Sequence, residues 1–272
     1  MNIGFLITAR LKSTRLKRKI LLPLNGYTVI ERVISRAKKV VEADKIVLCT
    51  SNDPQDSTLA GTARKNNVSY FNGHPDDVLQ RLLGAAEFFG FEFFVGITAD
   101  NPLFSIHHAR IIKGMFTEDS TIDYVFTSGM PIGVNIYGIN VKALKTVCAV
   151  KEQIDTEIWG PLMNRPEIFN VIELKAEKDY QRDNFRLTLD EKDDYKVFKA
   201  IYNNFERDAV IDVLEAYKFL DENNHVYQIN EGVNQKSLNR AQLNKIDNFF
   251  TQEKSNIIRI KSNFFNNSIT KV

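Results

Sequence analysis

Apolar residues recur along this chain with two different spacings, and their succession predicts an α/β architecture. Short continuous apolar runs bounded by polar loops read as buried strands: Ile3–Ile7, Lys45–Thr50, Val68–Phe71 and Phe91–Ile97. Between the first two, Val29, Ile30, Val33, Ile34, Ala37, Val40 and Val41 form one stripe at helical spacing. Thr28 stands in capping position, with Glu31, Arg32, Lys38 and Lys39 on the outward face. Further helices are expected over Asp56–Lys65, through Val78, Leu79, Leu82, Leu83, Ala85 and Ala86, and over Ile106–Met115. Strand, helix, strand with polar connections implies parallel, right-handed units. Phe91–Ile97, the most apolar run, belongs at the sheet centre.

From Thr127 to Leu174 the pattern is less regular. Asp123–Phe126 reads as extended, Val134–Ile139 and Phe169–Leu174 as strands, and Val141–Val150 as a helix. Phe185–Leu189 alternates as a strand, and two helices follow, the second over Asp208–Glu222. The sum is a three-layer α/β/α sandwich with a mainly parallel sheet. One domain is expected over 1–225, an extension packed on it over 226–250, and a loosely held Asn-, Ser- and Lys-rich tail over 251–272.

Charge changes this picture at one place. The chain as a whole is near balance, at +2 with 43% hydrophobic residues, which allows one sizeable core and argues against a general nucleic-acid binder. Yet Arg10, Lys12, Arg15, Lys17, Arg18 and Lys19 crowd into ten residues directly after the first strand, with no acid among them. In open α/β sheets ligands bind beyond the carboxyl ends of strands. Six cations held there repel one another, and arginine forks match phosphate oxygens, so the loop reads as a polyphosphate site. A solvated basic loop or a nucleic-acid contact is the plainer alternative. Cys49 and Cys148 form neither a CxxC site nor a disulfide framework, which points to a reducing cytoplasm. No apolar run reaches the ~18 residues of a membrane span, and the opening lacks the order of a secretory leader.

Two carboxylates stand out as metal ligands. Asp100 ends the most apolar strand and would face the same edge as the basic loop; Mg²⁺ takes one or two such carboxylates together with phosphate oxygens. The alternative is a simple Asp-Asn-Pro turn. Asp190 ends the Phe185–Leu189 run, and with Asp193 it equally resembles a helix cap. Asp76, Asp77 and Arg81 open a helix, where the dipole alone favours acids. Arg186 divides evenly between a buried ion pair and a substrate contact. His74, His107, His108 and His225 include no HxxxH pair, so zinc chemistry has no support from spacing. There is no G-x-S-x-G elbow, P-loop or G-x-G-x-x-G fingerprint.

Four stretches, in order, carry a family likeness. Ala9–Leu21 (ARLKSTRLKRKIL) resembles the A-R-x-x-S-x-R-L-P-G-K-x-L loop of cytidylyltransferases that make CMP-activated sugar acids, in particular the spore-coat polysaccharide (SpsF-type) branch, relatives of CMP-Kdo and CMP-sialic acid synthetases. Gly73–Arg81 resembles that branch's G-x-x-D-D-V-L-x-R, Asp100–Leu103 its D-x-P-L, and Arg186–Asp194 its R-x-T-x-D-x-x-x-D. Ile229–Gly232 and Lys236–Leu238 also have counterparts, so the likeness spans Met1 to Leu238. The resemblance implies a glycosyltransferase-A-like nucleotide fold and transfer of CMP from CTP to an acidic sugar or related acid, for surface polysaccharide synthesis. It also implies a homodimer. By it, Ala9, Arg10, Ser13, Arg15 and Lys19 would hold the CTP phosphates, and Asp77 and Arg81 would lie near the nucleotide or stabilise its loop. Asp100 and Asp190 would hold Mg²⁺, with Arg10, Lys19 and Asp100 acting in catalysis. The departures are local. Lys17-Arg18 stands where the family has Pro-Gly, and the acceptor-side segments R-G-L-D-V-E-V and E-H-V-T become Ile132–Gly138 and Thr156–Trp159. A non-catalytic nucleotide-binding module, a nucleotide-sugar glycosyltransferase and an RNA-binding protein are the rival readings.

Overall fold

The computed structural model describes residues 1–266. The chain opens with β1 (Ile3–Thr8), then a basic loop and a short hairpin of β2 (Pro23–Leu24) and β3 (Tyr27–Thr28) leading into α1 (Val29–Ala37). Next come β4 (Ile46–Ser51), α2 (Thr58–Lys65), β5 (Ser69–Gly73), α3 (Val78–Phe88), β6 (Phe93–Thr98) and α4 (Ile106–Glu118). The irregular middle holds β7 (Tyr124–Ser128), β8 (Tyr137–Asn140), α5 (Val141–Val150), α6 (Gly160–Met163) and β9 (Val171–Lys175). Helices alone follow: α7 (Lys192–Asn203), α8 (Val213–Glu222), α9 (Asn224–Tyr227), α10 (Arg240–Gln252) and α11 (Lys254–Asn266).

Seven strands form one sheet in the order β5-β4-β1-β6-β8-β7-β9, parallel except for β8, which runs antiparallel to both neighbours. Side chains alternate across the pleat, so each buried strand feeds two cores. Ile3, Phe5 and Ile7 face the helices α1, α2 and α4, while Leu6 joins α3, α5, α10 and α11 on the other side. Each such fully buried side chain contributes about 1.5–3 kcal/mol. This is the expected three-layer sandwich. A third apolar cluster, built from α7, α8, α9, Leu24 of β2 and the segment Phe185–Leu189, lies apart from both faces of the sheet.

The order of pairing locates the site. β1 is followed in sequence by β4 and β5 on one side, and then the chain crosses to lay β6 on the other side of β1. Loops leaving β1 and β6 therefore diverge at a topological switch point, where α/β sheets bind ligands. Thr8 and Thr98 are in register at the ends of these strands.

Three expectations are corrected. Phe185–Leu189 alternates as predicted, with Phe185, Leu187 and Leu189 in the third cluster, but it is not a sheet strand. Its pairing consists of an isolated bridge between Arg186 and Ile132 and a bond from the Leu189 amide to the Asp100 carbonyl. Gly133, at φ +94°, lets this segment approach so closely that a Cβ there would stand 1.8 Å from the Leu187 carbonyl oxygen. Second, Glu31 and Arg32 do not face solvent. Glu31 completes a capping box with Thr28, and Arg32 donates to the Leu24 and Asn25 carbonyls, tying α1 to the hairpin. Third, residues 251–266 are not a loose tail: α11 buries Ile257 in the same core as Phe250 of α10. Residues 267–272 of that stretch lie outside the described residues.

Both cysteines are protected. Cys49 is fully buried and Cys148 partly so, and desolvation pushes each thiol up to about 12. Neither thiolate forms near neutrality. Titration with a thiol-specific chromogenic disulfide at pH 8 is expected to modify neither cysteine over minutes in the native protein and both in denaturant.

Candidate active site

The basic loop is tethered at its first turn by a residue the sequence reading passed over. Asp56 is fully buried; its carboxylate accepts from the Leu11 amide at 2.7 Å and from the Ser51 hydroxyl at 2.5 Å. The Ala9 amide bonds the Cys49 carbonyl, so the loop leaves β1 on a path fixed by β4. In the sequence Asp56 merely opens the expected Asp56–Lys65 helix; its burial reveals the anchoring role.

At the far end of that loop, Lys19 reaches across the switch point. Its Nζ donates to Asp100 Oδ2 at 2.5 Å and to Asp190 Oδ1 at 2.7 Å. Residues remote in sequence thus converge on one atom. Asp100 is held by β6: its other oxygen accepts from Thr98 Oγ1 at 2.6 Å, and Asn101 in turn donates to Thr98. Asp190 is brought alongside because the Leu189 amide donates to the Asp100 backbone carbonyl. Burial works against the Lys19 ammonium, but the two carboxylates outweigh it and hold its pKa above the ordinary lysine value.

Asp190 rests on a buried ionic lattice. Arg186 donates to Asp190 Oδ2 at 3.1 Å, to Asp194 Oδ1 at 2.9 Å and to Gln235 at 2.7 Å. Asp194, fully buried, also accepts the backbone amides of Asp190 and Glu191, both at 2.8 Å, and the Asn230 amide at 2.8 Å. The helix cap suspected at Asp190 and Asp193 is real but belongs to Glu191 and Asp194. Arg186 resolves to the buried ion pair. Burial alone would raise the Asp190 pKa; Lys19, Arg15 and Arg186 overcome this and keep it below the usual aspartate value. The Ile229–Gly232 stretch has a physical role through Asn230, whose side chain also bonds the Arg186 carbonyl.

The remaining candidates divide into those at the cleft and those beneath it. Arg15 lies 3.2 Å from Asp190 and 3.3 Å from Glu191. Arg10 donates to the Pro75 carbonyl at 2.6 Å and approaches Asp76 and Glu157; Lys12 is 3.8 Å from Asp76. Ala9 is buried and Ser13 part-exposed at the loop surface. Carboxylates from other loops thus already supply part of the counter-charge that the sequence assigns to a bound polyphosphate. Lys17 and Arg18 remain exposed and make no ion pair among the described residues.

Asp77 and Arg81 bond to the protein's own loops. Asp77 caps α3 through the Gln80 amide, accepts from Thr156 Oγ1 at 3.0 Å and pairs with Lys151. Arg81, buried, donates to the His74 and Pro75 carbonyls, the latter shared with Arg10. Both therefore shape the turn on which Arg10 rests, and rewritten Thr156 is part of the same bond network.

Arg18 sits at φ +51°, in the left-handed region, so the loop keeps at this position the conformation that favours glycine. A side chain there costs about 1–2 kcal/mol. Arg18→Gly is expected to raise the melting temperature slightly, by the part of that strain its added chain entropy does not cancel; a lower melting temperature would contradict the strain assignment.

Asp100 and Asp190 offer two hard carboxylate groups whose oxygens both lie within hydrogen-bond reach of the Lys19 ammonium. That donor set fits a magnesium ion, which takes few protein carboxylates and completes its shell with phosphate and water.

The sequence profile of a family described as cytidylyltransferase matches residues 5–237. The spore coat polysaccharide biosynthesis protein SpsF of Bacillus subtilis is 26% identical over 230 residues, covering 82% of this chain and 95% of that one. A solved cytidylyltransferase from Leptospira borgpetersenii superposes with a TM-score of 0.77 at 24% identity, over 88% of this chain and 100% of that one. CMP:2-keto-3-deoxy-manno-octonic acid synthetase, solved as a complex with CTP, superposes with a TM-score of 0.60 at 14% identity, over 75% and 99%. The profile match over residues 5–237 places this chain in the cytidylyltransferase family, as a nucleotidyltransferase.

Proposed function

We propose that this enzyme transfers CMP from CTP to an acidic sugar or related acid in a magnesium-dependent reaction that releases pyrophosphate. The pathway we assign is surface polysaccharide synthesis, carried out in the cytoplasm by a homodimer. The observation that carries the reading is the meeting of Lys19, Asp100 and Asp190 beside the basic loop. The names of the relatives, one a polysaccharide-synthesis protein and one a CTP complex, support the nucleotide and the pathway.

Magnesium held by Asp100 and Asp190 would supply charge neutralisation at the phosphates. Lys19, released from the two carboxylates, would turn its ammonium to the phosphate chain, with Arg15 from the same loop beside it. Arg10 and Ser13 would line the rest of the phosphate path, oriented by the turn that Asp77 and Arg81 support. An acceptor oxygen then forms a bond to the α-phosphorus as the bond to pyrophosphate breaks, in line and without a covalent enzyme intermediate. Catalysis is positioning and charge stabilisation.

Pyrophosphate release measured with each nucleoside triphosphate, Mg²⁺ and a panel of 2-keto and uronic sugar acids tests the reading. CTP together with one class of acid is expected to give turnover, and a thermal shift exceeding that of the other triphosphates. A CTP-induced shift without release for any acid would make the chain a nucleotide-binding module instead.

A further inference from the structure

Away from the catalytic carboxylates, the start of α4 meets the turn after β9. His107 and His108 come from the first turn of α4, and Glu177 lies two residues beyond β9. A ligand atom from each lies within 4.8 Å of the other two. His107 Nε2 is 3.3 Å from Glu177 Oε1, and His108 Nε2 is 2.9 Å from Glu177 Oε2.

The second of these contacts is the informative one. His108 is fully buried, and although its Nε2 is close to the carboxylate it does not meet hydrogen-bond geometry and has no other partner among the described residues. Its Nδ1 is 2.7 Å from Ser105 Oγ, the hydroxyl that also caps α4. The Ser105 contact admits both ring tautomers: with the proton on Nδ1 and given to Ser105, Nε2 presents a bare lone pair to an anionic oxygen, whereas with Ser105 donating to Nδ1 the Nε2–H faces that oxygen. In the first tautomer two lone pairs that close repel, and a metal cation between them removes the repulsion as a proton does in the second. Tyr180 fixes both rings, stacked on His107 at 9° and edge-on to His108 at 90°.

We propose that His107, His108 and Glu177 form a binding site for a zinc-like divalent cation. Two imidazole nitrogens and one carboxylate make a borderline donor set, unlike the all-carboxylate pair at Asp100 and Asp190. Ser105 is the outer partner that orients His108, as hydrogen-bonded histidine ligands in metal sites usually require. His107 and Glu177 are about half exposed, which leaves the fourth position to solvent. The bound ion would staple the start of α4, in the loop region that follows Asp100, to the turn after β9. Histidine spacing alone does not point to zinc, because adjacent histidines become joint ligands only when Glu177 is folded against them.

Cobalt(II) titrated into the untagged full chain, followed by its visible ligand-field absorption and then displaced with Zn²⁺, tests the site. One saturable equivalent per chain is expected, together with a higher melting temperature. His107→Ala and Glu177→Gln, both at half-exposed positions, are expected to weaken cobalt binding at least ~10-fold. Asp100→Asn should leave the band intact. Absence of a saturable band, or a band that survives in the double variant His107→Ala/Glu177→Gln or vanishes in Asp100→Asn, would overturn the assignment.

Discussion

Asp100→Asn is expected to lower turnover by at least ~10² at saturating CTP, a loss comparable to removing one preorganised electrostatic group from other active sites. The substitution is nearly isosteric. It leaves the oxygen that accepts from Thr98 in place and removes the charge that faces Lys19. Because Asp190 still holds the ammonium, the stability loss is expected to stay below the loss of about 3–5 kcal/mol that follows when a buried pair is broken outright. A fold-preserving variant with a large kinetic defect is therefore the signature, read from pyrophosphate release beside a thermal melt. Steady-state rates equal to wild type would remove Asp100 from the catalytic machinery.

Asp194→Ala is expected to have the largest effect on stability, a loss of about 3–5 kcal/mol. The carboxylate is wholly buried and serves Arg186, Asn230 and two backbone amides at once. Truncating it leaves a buried guanidinium half-paired and two amides without acceptors. Asp190 would lose its support, so activity should fall with stability even though Asp194 itself is wholly buried. The internal control is Asp193→Ala, one position earlier, whose carboxylate among the described residues makes only an exposed 2.8 Å pair with Lys196. That change should stay within about 0.5 kcal/mol. Equal destabilisation by the two variants, measured by urea unfolding, would refute the lattice as the support of Asp190.

Much of this molecule was readable locally. The β1, β4 and β6 runs, the Thr28 cap of α1 and the Val141–Val150 helix follow from spacing alone, because hydrophobic period and capping chemistry act over a few residues. Placing Asp100 at the end of the central strand also needed nothing beyond the pattern. The errors arose where a residue's neighbours come from elsewhere in the chain. Arg32 is a surface residue by helical phase, yet the β2–β3 hairpin folds over it and supplies carbonyls. Phe185–Leu189 has strand alternation without a sheet, because its neighbours are the loops after β6 and β7. In the last two helices, sparse apolar positions such as Phe250 and Ile257 sufficed once α6 offered a surface to α10 and α5 one to α11.

By itself, then, the sequence determined the layered α/β architecture, the basic loop after the first strand and the carboxylate at the end of β6. Tertiary structure alone decided that Lys19 lies between Asp100 and Asp190, that Asp56 and Asp194 are the hidden supports, and that His107, His108 and Glu177 share one corner. The reason is range: period, caps and turns are set by adjacent residues, whereas burial and the pairing of charges depend on which distant segment closes over them.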